Sequence, residues 1–366
     1  MSGIVKRLQD LVLEGVENAS KVFIVGHDGT DFDCIGSAFG LSTLTKSLGK
    51  ETYIIINDSD IEIDPGIKKI IDEKKEKYQI INLEEFRSLV DDHSTLIVTD
   101  TNKTYKVSVK DDLDKFEKIL VIDHHQEDEN TIATPRKVIA SDPKEASSAS
   151  EMVARLLNSL KIKYDAEVAI YLLTGITMDS NHYDVNTTHI TMDVSEKLIR
   201  KGATVEDVKK LLFTDIAEDG RIQLLIHTPG NTIFQEYAQG GLLGTKNVAF
   251  TINREKPKTI YNRVEIAKAA NNMLKYNITD ATFVLAYTKA GTISISARSR
   301  EDINVGTIME HMQYGGGSKK CAGGIVMSDD IFAVEKELMQ QVQWGLPLDT
   351  PQEEVKIKKI GKVENI

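Results

Sequence analysis

The stretch KILVIDHHQE, residues 118–127, joins an apolar run to a strongly polar end. Residues 119–122 are Ile, Leu, Val and Ile, which is typical of a strand buried on both faces of a sheet. The run stops abruptly at Asp123, His124 and His125. We therefore predict a core strand whose carboxyl end carries an acid and two adjacent imidazole side chains.

Three similar runs precede this strand, namely KVFIVGH (21–27), ETYIIIND (51–58) and STLIVTDT (94–101). Helix-like segments such as CIGSAFGLSTLTKSLG (34–49) lie between them. Apolar strands that alternate with helices indicate an α/β domain with a parallel sheet covered on both faces. Ligands of such sheets bind beyond the carboxyl ends of the strands. The sequence places most of its histidines and paired acids at that edge.

The second half of the chain predicts a smaller α/β domain. It has strand-like runs near 246–252, 281–288 and 292–299, and a helix around 263–275. The breaker cluster HTPGN (227–231) indicates a linker before this domain. We expect a cleft between the two domains. The predicted boundaries are an N-terminal domain over 1–227, a linker over 228–237, a C-terminal domain over 238–345 and a charged tail over 346–366.

The composition fits two globular domains, because 366 residues with 41% hydrophobic and 28% charged residues exceed one ordinary core. The formal charge of −11 argues against binding duplex nucleic acid, although a cleft can still admit a small anion. Two cysteines, Cys34 and Cys321, exclude a disulfide framework. We expect no membrane span and a cytoplasmic location, and the same pattern suits the catalytic end of a longer protein.

Acids and histidines recur at four places that we predict to be strand ends. They are His27, Asp31 and Asp33 in an H-x-x-x-D-x-D spacing, then Asp100, then Asp123, His124 and His125, and finally Asp179. In extended backbone, Asp31 and Asp33 would project to one side. A single acid after a strand is more often a helix N-cap than a ligand. The four places in combination indicate a functional site, because helix capping alone does not account for all of them.

Several carboxylates at one sheet edge raise one another's pKa unless cations are present. Two divalent ions would offset the charges of Asp31, Asp33, Asp100 and Asp179. Mixed imidazole and carboxylate ligation favours Mn²⁺, Fe²⁺ or Zn²⁺ over Mg²⁺. Two ions about 3.5–4 Å apart would hold a phosphoryl group for in-line attack. The pattern therefore predicts phosphoester hydrolysis.

The four motifs in this order resemble the DHH phosphoesterase superfamily, and the second half resembles its DHHA1 substrate domain. Several stretches are similar to the catalytic part of GdpP-type cyclic di-AMP phosphodiesterases. These stretches are GHDGTDFDCIGSAFGL (26–41), DPKEASSASEMV (142–153), TGITMDSNHY (174–183) and ISARSREDINVGTIMEHMQYGGG (295–317). The resemblance covers roughly residues 15–330, which is most of the chain.

The resemblance implies a role for each residue of the motifs. His27 and Asp31 would hold one Mn²⁺, Asp33, His124 and Asp179 would hold the other, and Asp100 would bridge both. His125 would face the scissile phosphate, and Asp123 would orient its neighbours. In the second domain, Arg298, the amides of Gly315, Gly316 and Gly317, and Ser318 would contact the substrate.

One departure from the family pattern concerns Ser318, which stands where the family has a histidine directly after the glycine run. A serine donates a hydrogen bond but supplies no cationic ring, whereas the nearby Lys319 and Lys320 supply charge. The change affects substrate choice and efficiency, while every metal-ligand position is retained.

The resemblance implies a manganese-dependent, two-metal phosphodiesterase that hydrolyses cyclic di-AMP to linear 5′-pApA. One alternative is cleavage of pApA and short oligoribonucleotides, or pAp phosphatase activity, on the same fold. Another alternative is a nucleotide-binding regulator with weak catalysis. A type II pyrophosphatase fits less well, because the second half shows a glycine-rich run and no compact Lys/Arg clamp. The implied partner is a small cyclic or linear dinucleotide, and a homodimer is compatible with the resemblance.

Overall fold

The computed structural model describes residues 3–57, 63, 65–142, 144–212, 216–238, 245–254, 259–300, 303–312 and 314–345. The predicted charged tail, 346–366, lies outside the described residues. By its internal contacts the chain divides into one unit over Met1–Phe213 and a second over Thr214–Ile366.

The first unit is built on a six-stranded parallel sheet in the order β3-β2-β1-β4-β5-β6. Its strands are β1 Lys21–Val25, β2 Glu51–Ile55, β3 Ile80–Ile81, β4 Thr95–Thr99, β5 Lys118–Asp123 and β6 Lys137–Ile139. Its α-helices are α1 Gly3–Val16, α2 Phe32–Ser47, α3 Pro65–Tyr78, α4 Leu83–Leu89, α5 Ala149–Ser159, α6 Ala166–Asp179, α7 His189–Arg200 and α8 Val205–Leu211. Two 3₁₀ helices, Thr104–Lys106 and Lys110–Lys115, lie between β4 and β5. The predicted parallel sheet is confirmed.

Both faces of this sheet are covered, because successive side chains of a strand point to opposite sides. Ile24 of β1 packs in a cluster with residues of α1, α2, α5 and α6. Its neighbour Phe23 packs on the other face in edge-to-face contact with Phe86 and Phe116. Burial on both faces explains why these strands are apolar throughout.

The strand order directs ligands to the carboxyl ends of β1 and β4. The chain proceeds from β1 to β2 and β3 on one side, and then returns to β4 on the other side of β1. The connections that follow β1 and β4 therefore diverge and leave a crevice between them. This topological switch point is where the predicted site residues begin.

The second unit contains a mixed six-stranded sheet in the order β11-β12-β10-β9-β8-β7. Only β8 and β9 pair in parallel among its described strands. Its strands are β7 Thr232–Ala238, β8 Thr245–Ile252, β9 Ala281–Lys289, β10 Thr292–Ser299, β11 Gly315–Gly317 and β12 Cys321–Met327. Its helices are α9 Ile216–His227, α10 Arg263–Leu274, α11 Val305–His311 and α12 Ile331–Gly345. Residues of α9 and α10 share one core cluster, and residues of α11 and α12 share another.

The structure corrects the predicted linker over residues 228–237. Residues 232–238 form β7, which pairs antiparallel with β8 at the edge of the second sheet. The preceding helix α9 packs on α10, and Ile222, Leu225 and Ile226 are buried there. The division between the two units therefore falls before α9, whereas the sequence placed it after residue 227.

None of the described helices combines the length and the apolar character that a membrane span needs.

Candidate metal centre and active site

His27 and Asp31 lie in the loop that connects β1 to α2. The ring of His27 donates its Nδ1 proton to the carbonyl oxygen of Asp28, at 2.8 Å, because a carbonyl can only accept. This hydrogen bond leaves Nε2 for a ligand, and Nε2 lies 3.7 Å from Asp31 Oδ2 and 3.5 Å from Asp100 Oδ2. Asp31 is the N-cap of α2, with Oδ1 accepting from the amides of Asp33 and Cys34. Its second oxygen is thereby turned towards His27.

Asp33 lies in the first turn of α2 and not in extended backbone as expected, although it reaches the same cluster. It is buried, and its carboxylate accepts from the amides of Ala149 and Ser150, both at 2.8 Å. These amides are the first two of helix α5, whose N-terminal dipole favours a negative charge. This cradle fixes the orientation of Asp33, and the sequence did not reveal it because the two partners are more than a hundred residues apart.

Asp100 occupies the centre of the cluster, directly after β4. Its backbone has a φ of 59°, a left-handed conformation that Asp tolerates better than most residues. One carboxylate oxygen faces His27, and the other lies 3.3 Å from His124 Nε2. Asp100 is therefore shared between the side chains that follow β1 and those that follow β5.

His124 and Asp179 complete the cluster. His124 Nε2 lies 3.8 Å from Asp33 Oδ2 and 3.5 Å from Asp179 Oδ2. The expectation that Asp179 follows a strand was wrong, because Asp179 is the last residue of helix α6. Three consecutive residues with positive φ, 181–183, follow it, and backbone strain of this kind is common beside functional sites. The C-terminal end of helix α6 thus supplies a carboxylate to the cluster, in addition to the side chains at the edge of the sheet.

Burial and mutual charge govern the pKa values of this cluster. Burial and the charges of Asp100 and Asp179 raise the pKa of Asp33 well above its usual range. Burial and the charges of Asp100 and Asp31 raise the pKa of Asp179 to about 6, against the opposing effect of His124. Burial lowers the pKa of His124, but the surrounding carboxylates outweigh it and raise that pKa well above its usual range. Divalent cations would offset the carboxylate charges that cause these shifts.

His125 and Asp123 form a hydrogen-bonded pair that adjoins this cluster, with His125 Nδ1 3.9 Å from Asp100 Oδ1. His125 Nδ1 donates to Asp123 Oδ1 at 2.8 Å, and the His125 side chain is 47% exposed. Asp123 is fully buried, and its other oxygen accepts from Asn102 Nδ2 at 2.6 Å. The same Asn102 amide lies within 3.3 Å of the carbonyl oxygens of His125 and Gln126. Sequence reasoning missed Asn102, whose position two residues after Asp100 was its only signal.

The donor set suits divalent transition metals. The ligand atoms of His27, Asp31 and Asp100 lie within 4.8 Å of one another, and so do those of Asp33, His124 and Asp179. Asp100 Oδ1 and His124 Nε2 are both buried without a hydrogen-bond partner among the described residues, although they lie 3.3 Å apart. Buried polar atoms are rarely left without a partner. Two groups of mixed imidazole and carboxylate ligands, with Asp100 adjacent to both, fit a pair of such ions.

The predicted substrate residues lie in the second unit. Arg298 of β10 is half-buried, and its guanidinium donates to Asn271 Oδ1, the Ala297 carbonyl and Ser296 Oγ. Gly315–Gly317 form the edge strand β11, which is paired with β12. Hydrogen bonds join Tyr314 to Ile325 and Ser318 to Cys321.

The register of β11 decides which glycine amides are available. Since hydrogen-bonded and non-hydrogen-bonded pairs alternate in an antiparallel ladder, Gly316 pairs with β12 while the amides of Gly315 and Gly317 point away from it. A Cβ at Gly317 would lie 2.4 Å from the Cys321 carbonyl oxygen, so a side chain does not fit. Ser318 is exposed, and its hydroxyl exchanges hydrogen bonds with the backbone of Cys321. The serine therefore closes the turn between β11 and β12.

Two family models match the chain. The model described as the DHH family, N-terminal domain, matches residues 21–176, and the model described as the DHHA1 domain matches residues 246–343. The chain belongs to the DHH/DHHA1 family. The DHH match contains the strands and helices that carry most of the metal-ligand candidates, and the DHHA1 match contains Arg298 and β11.

Two relatives are similar to most of this chain in sequence. The cyclic-di-AMP phosphodiesterase GdpP of Bacillus subtilis (strain 168) is 30% identical over 344 residues, which are 91% of this chain and 50% of GdpP. The bifunctional oligoribonuclease and PAP phosphatase NrnA of Thermus thermophilus is 24% identical over 340 residues, which are 92% of this chain and 93% of NrnA. The chain spans about half the length of the cyclic-di-AMP phosphodiesterases that it matches.

The fold also matches a crystal structure of an exopolyphosphatase-related protein from Bacteroides fragilis. The TM-score is 0.74 at 20% identity, and the match covers 93% of this chain and 96% of that one. At this identity the likeness supports the fold alone.

Proposed function

We propose that this protein is a phosphodiesterase that uses two divalent metal ions, with Mn²⁺ as the preferred ion, to hydrolyse cyclic di-AMP to linear 5′-pApA. The observation that carries the proposal is the arrangement around Asp100, where two ligand groups meet at one buried carboxylate. The similarity to GdpP over 91% of this chain supports the choice of substrate.

The metal ions are assigned to the two ligand groups. His27 and Asp31 would hold one ion, Asp33, His124 and Asp179 would hold the other, and Asp100 would contact both. When bound, such ions polarise phosphoryl oxygens and lower the pKa of water. The hydrogen bonds of His27 to the Asp28 carbonyl and of Asp33 to the α5 amides orient these ligands in advance, so that little reorganisation accompanies metal binding.

His125 is assigned to the scissile phosphate. Its Nδ1 proton is held by Asp123, so Nε2 is the ring atom left to face a substrate. In its protonated form the ring donates Nε2–H to a phosphoryl or leaving oxygen, where negative charge develops. Asn102 and Asp123 act through His125 by fixing the plane of its ring.

The second unit is assigned to substrate binding. The outward amides of Gly315 and Gly317 and the guanidinium of Arg298 suit an anion or a nucleotide base edge. Ser318 stands in place of the family histidine, and its contact with the substrate stays a prediction, because its hydroxyl already bonds to the backbone of Cys321. The expected cleft between the domains and the homodimer stay predictions.

In the test, the purified protein is incubated with cyclic di-AMP, pApA or pAp in the presence of Mn²⁺ or Mg²⁺. The products are separated by anion-exchange chromatography. We expect cyclic di-AMP to yield pApA, with the faster rate in Mn²⁺. Rapid cleavage of pApA without turnover of cyclic di-AMP would refute the cyclic substrate. That outcome would favour the second candidate function, oligoribonuclease and pAp phosphatase activity, which is supported by the match to 93% of NrnA.

A nucleotide-binding regulator is distinguished by the variant Asp100→Ala. A catalyst loses both metal and turnover when the shared carboxylate is removed. A metal-independent binder keeps its affinity for the nucleotide, which equilibrium dialysis with cyclic di-AMP in the presence of a chelator would detect.

A further inference from the structure

A cleft of about 250 Å³ lies in the first unit, away from the residues described above. Its walls include Ser42 and Lys46 of α2, Lys77 and Tyr78 at the end of α3, and Lys163 and Tyr164 before α6. We call this the lysine cleft. It is smaller than most pockets for drug-sized ligands, which enclose about 300–1,000 Å³.

The walls of the lysine cleft carry three lysines and one acid, Asp165, in a chain of net charge −11. Lys77 is paired with Asp165 and Glu167, at 3.0 and 2.9 Å. Lys46 and Lys163 have no carboxylate within 4 Å among the described residues. Lys46 instead donates to the carbonyl oxygen of Lys77, at 3.0 Å. Burial and the charge of Lys77 lower the pKa of Lys46, so these two ammonium groups repel each other. An anion between the lysines would relieve this repulsion.

Two further features of the walls suit a polar, flat ligand. Ser42 is fully buried, and its hydroxyl has no hydrogen-bond partner among the described residues. A serine inside a helix ordinarily bonds back to the preceding turn, so an unpaired hydroxyl here is available to a ligand. The ring of Tyr164 is half-buried, and the ammonium of Lys201 lies 4.9 Å from its centroid. A fourth lysine thus adds to the positive field.

The lysine cleft lies at the opposite ends of two helices that carry candidate metal ligands. Helix α2 begins beside Asp31 and Asp33 and reaches the cleft at Ser42 and Lys46. Helix α6 begins at the cleft and ends at Asp179. At 1.5 Å per residue, Lys46 is about 20 Å along the α2 axis from Asp33. The cleft is therefore separate from the metal centre.

We propose that the lysine cleft is a second binding site, which takes the phosphate group of a small phosphate ester no larger than a mononucleotide. Lys46 and Lys163 contact the phosphate oxygens, Ser42 supplies a hydroxyl, and the ring of Tyr164 contacts the rest of the ligand. The binding is reversible and needs no metal ion.

The test measures binding of inorganic phosphate and of 5′-AMP to the full chain by isothermal titration calorimetry in the presence of a chelator. Without metal ions, the carboxylates around Asp100 repel an anion, so the metal centre does not contribute. We expect saturable binding of both probes. Tighter binding of 5′-AMP identifies a phosphate ester as the ligand, whereas equal affinities identify free phosphate.

Two lysine variants provide the comparison. Lys46→Gln should weaken binding about ten-fold or more, because it removes a charge-assisted hydrogen bond. Lys209→Gln on α8 is the matched control, since Lys209 is exposed and lies outside the cleft, and it should change the affinity less than about two-fold. Both probes should also protect Lys46, and not Lys209, from acetylation by acetic anhydride, as read by mass spectrometry. Absence of saturable binding at millimolar probe, or equal weakening by the two variants, overturns the proposal.

Discussion

Replacing Asn102 with alanine tests whether the Asp123–His125 pair depends on a neighbour for its geometry. The Asn102 amide donates to Asp123 Oδ2 at 2.6 Å and lies 3.2 Å from the His125 carbonyl oxygen. Alanine removes these donors and leaves one oxygen of a fully buried carboxylate without its partner. The backbone of residue 102 keeps its hydrogen bond from the Ile132 amide, so this contact between the two loop segments is retained.

The magnitude follows from the kind of hydrogen bond that is lost. A bond to a charged group contributes about 1.5–3 kcal/mol. If that free energy held His125 in its working orientation, its loss would slow turnover by roughly 10- to 100-fold, at about 1.36 kcal/mol per factor of ten. The same range is typical when a residue that orients a metal or catalytic ligand is replaced. We expect the free energy of unfolding to fall by about 1.5–3 kcal/mol as well.

The assay is steady-state hydrolysis of cyclic di-AMP with Mn²⁺, followed as a function of pH. We expect kcat to fall and KM to stay near its original value, because Asn102 orients His125 through Asp123. The matched control is Asn82→Ala, which removes the capping box of α4 and costs about 1 kcal/mol of stability. It should leave kcat unchanged. An Asn102→Ala protein with the original kcat and pH profile, or an equal loss of kcat in both variants, would show that the reasoning is wrong.

Three further predictions concern the metal centre and β11. Asp100→Ala should abolish tight Mn²⁺ binding and hydrolysis together, because both ligand groups lose their shared carboxylate. Calorimetry measures the metal binding, and product analysis measures the hydrolysis. A variant that retains metal binding and hydrolysis would contradict the assignment. The folded pKa of Asp179, about 6, lies above its unfolded value of about 4. Its contribution to the stability of the metal-free protein is therefore present below pH 4 and is lost as the pH rises through 6, whereas Mn²⁺ affinity should rise over the same interval. Urea unfolding and Mn²⁺ titrations at several pH values check both trends, and a metal affinity independent of pH would contradict them. Gly317→Ala should lower the free energy of unfolding by about 1–3 kcal/mol, because residue 317 has a φ of 150° and a Cβ would meet the Cys321 carbonyl. Gly316→Ala is the control, since a Cβ there would meet only the flexible side chain of Glu310, at 3.6 Å.

The sequence alone determined the parallel sheet of the first unit. Each of the four predicted strands is present, because burial on both faces makes a strand apolar throughout, and this signal is local. The short strands β3 and β6 were missed, since two or three residues carry too little periodicity. The edge strand β7 was interpreted as linker because it follows a breaker cluster, and only its pairing with β8 shows otherwise.

The sequence also supplied the members of the cluster around Asp100, since the chemistry of each motif is visible in its residue types. Only the tertiary structure decided how they are oriented. It placed Asp179 at a helix end, Asp33 against the amides of α5, and Asn102 against Asp123. The lysine cleft is likewise lined by α2, α3 and the segment before α6, and no local sequence pattern predicts it. The physical reason is that each short stretch of sequence shows its own residue types, whereas burial and hydrogen-bond partners arise when distant segments pack together.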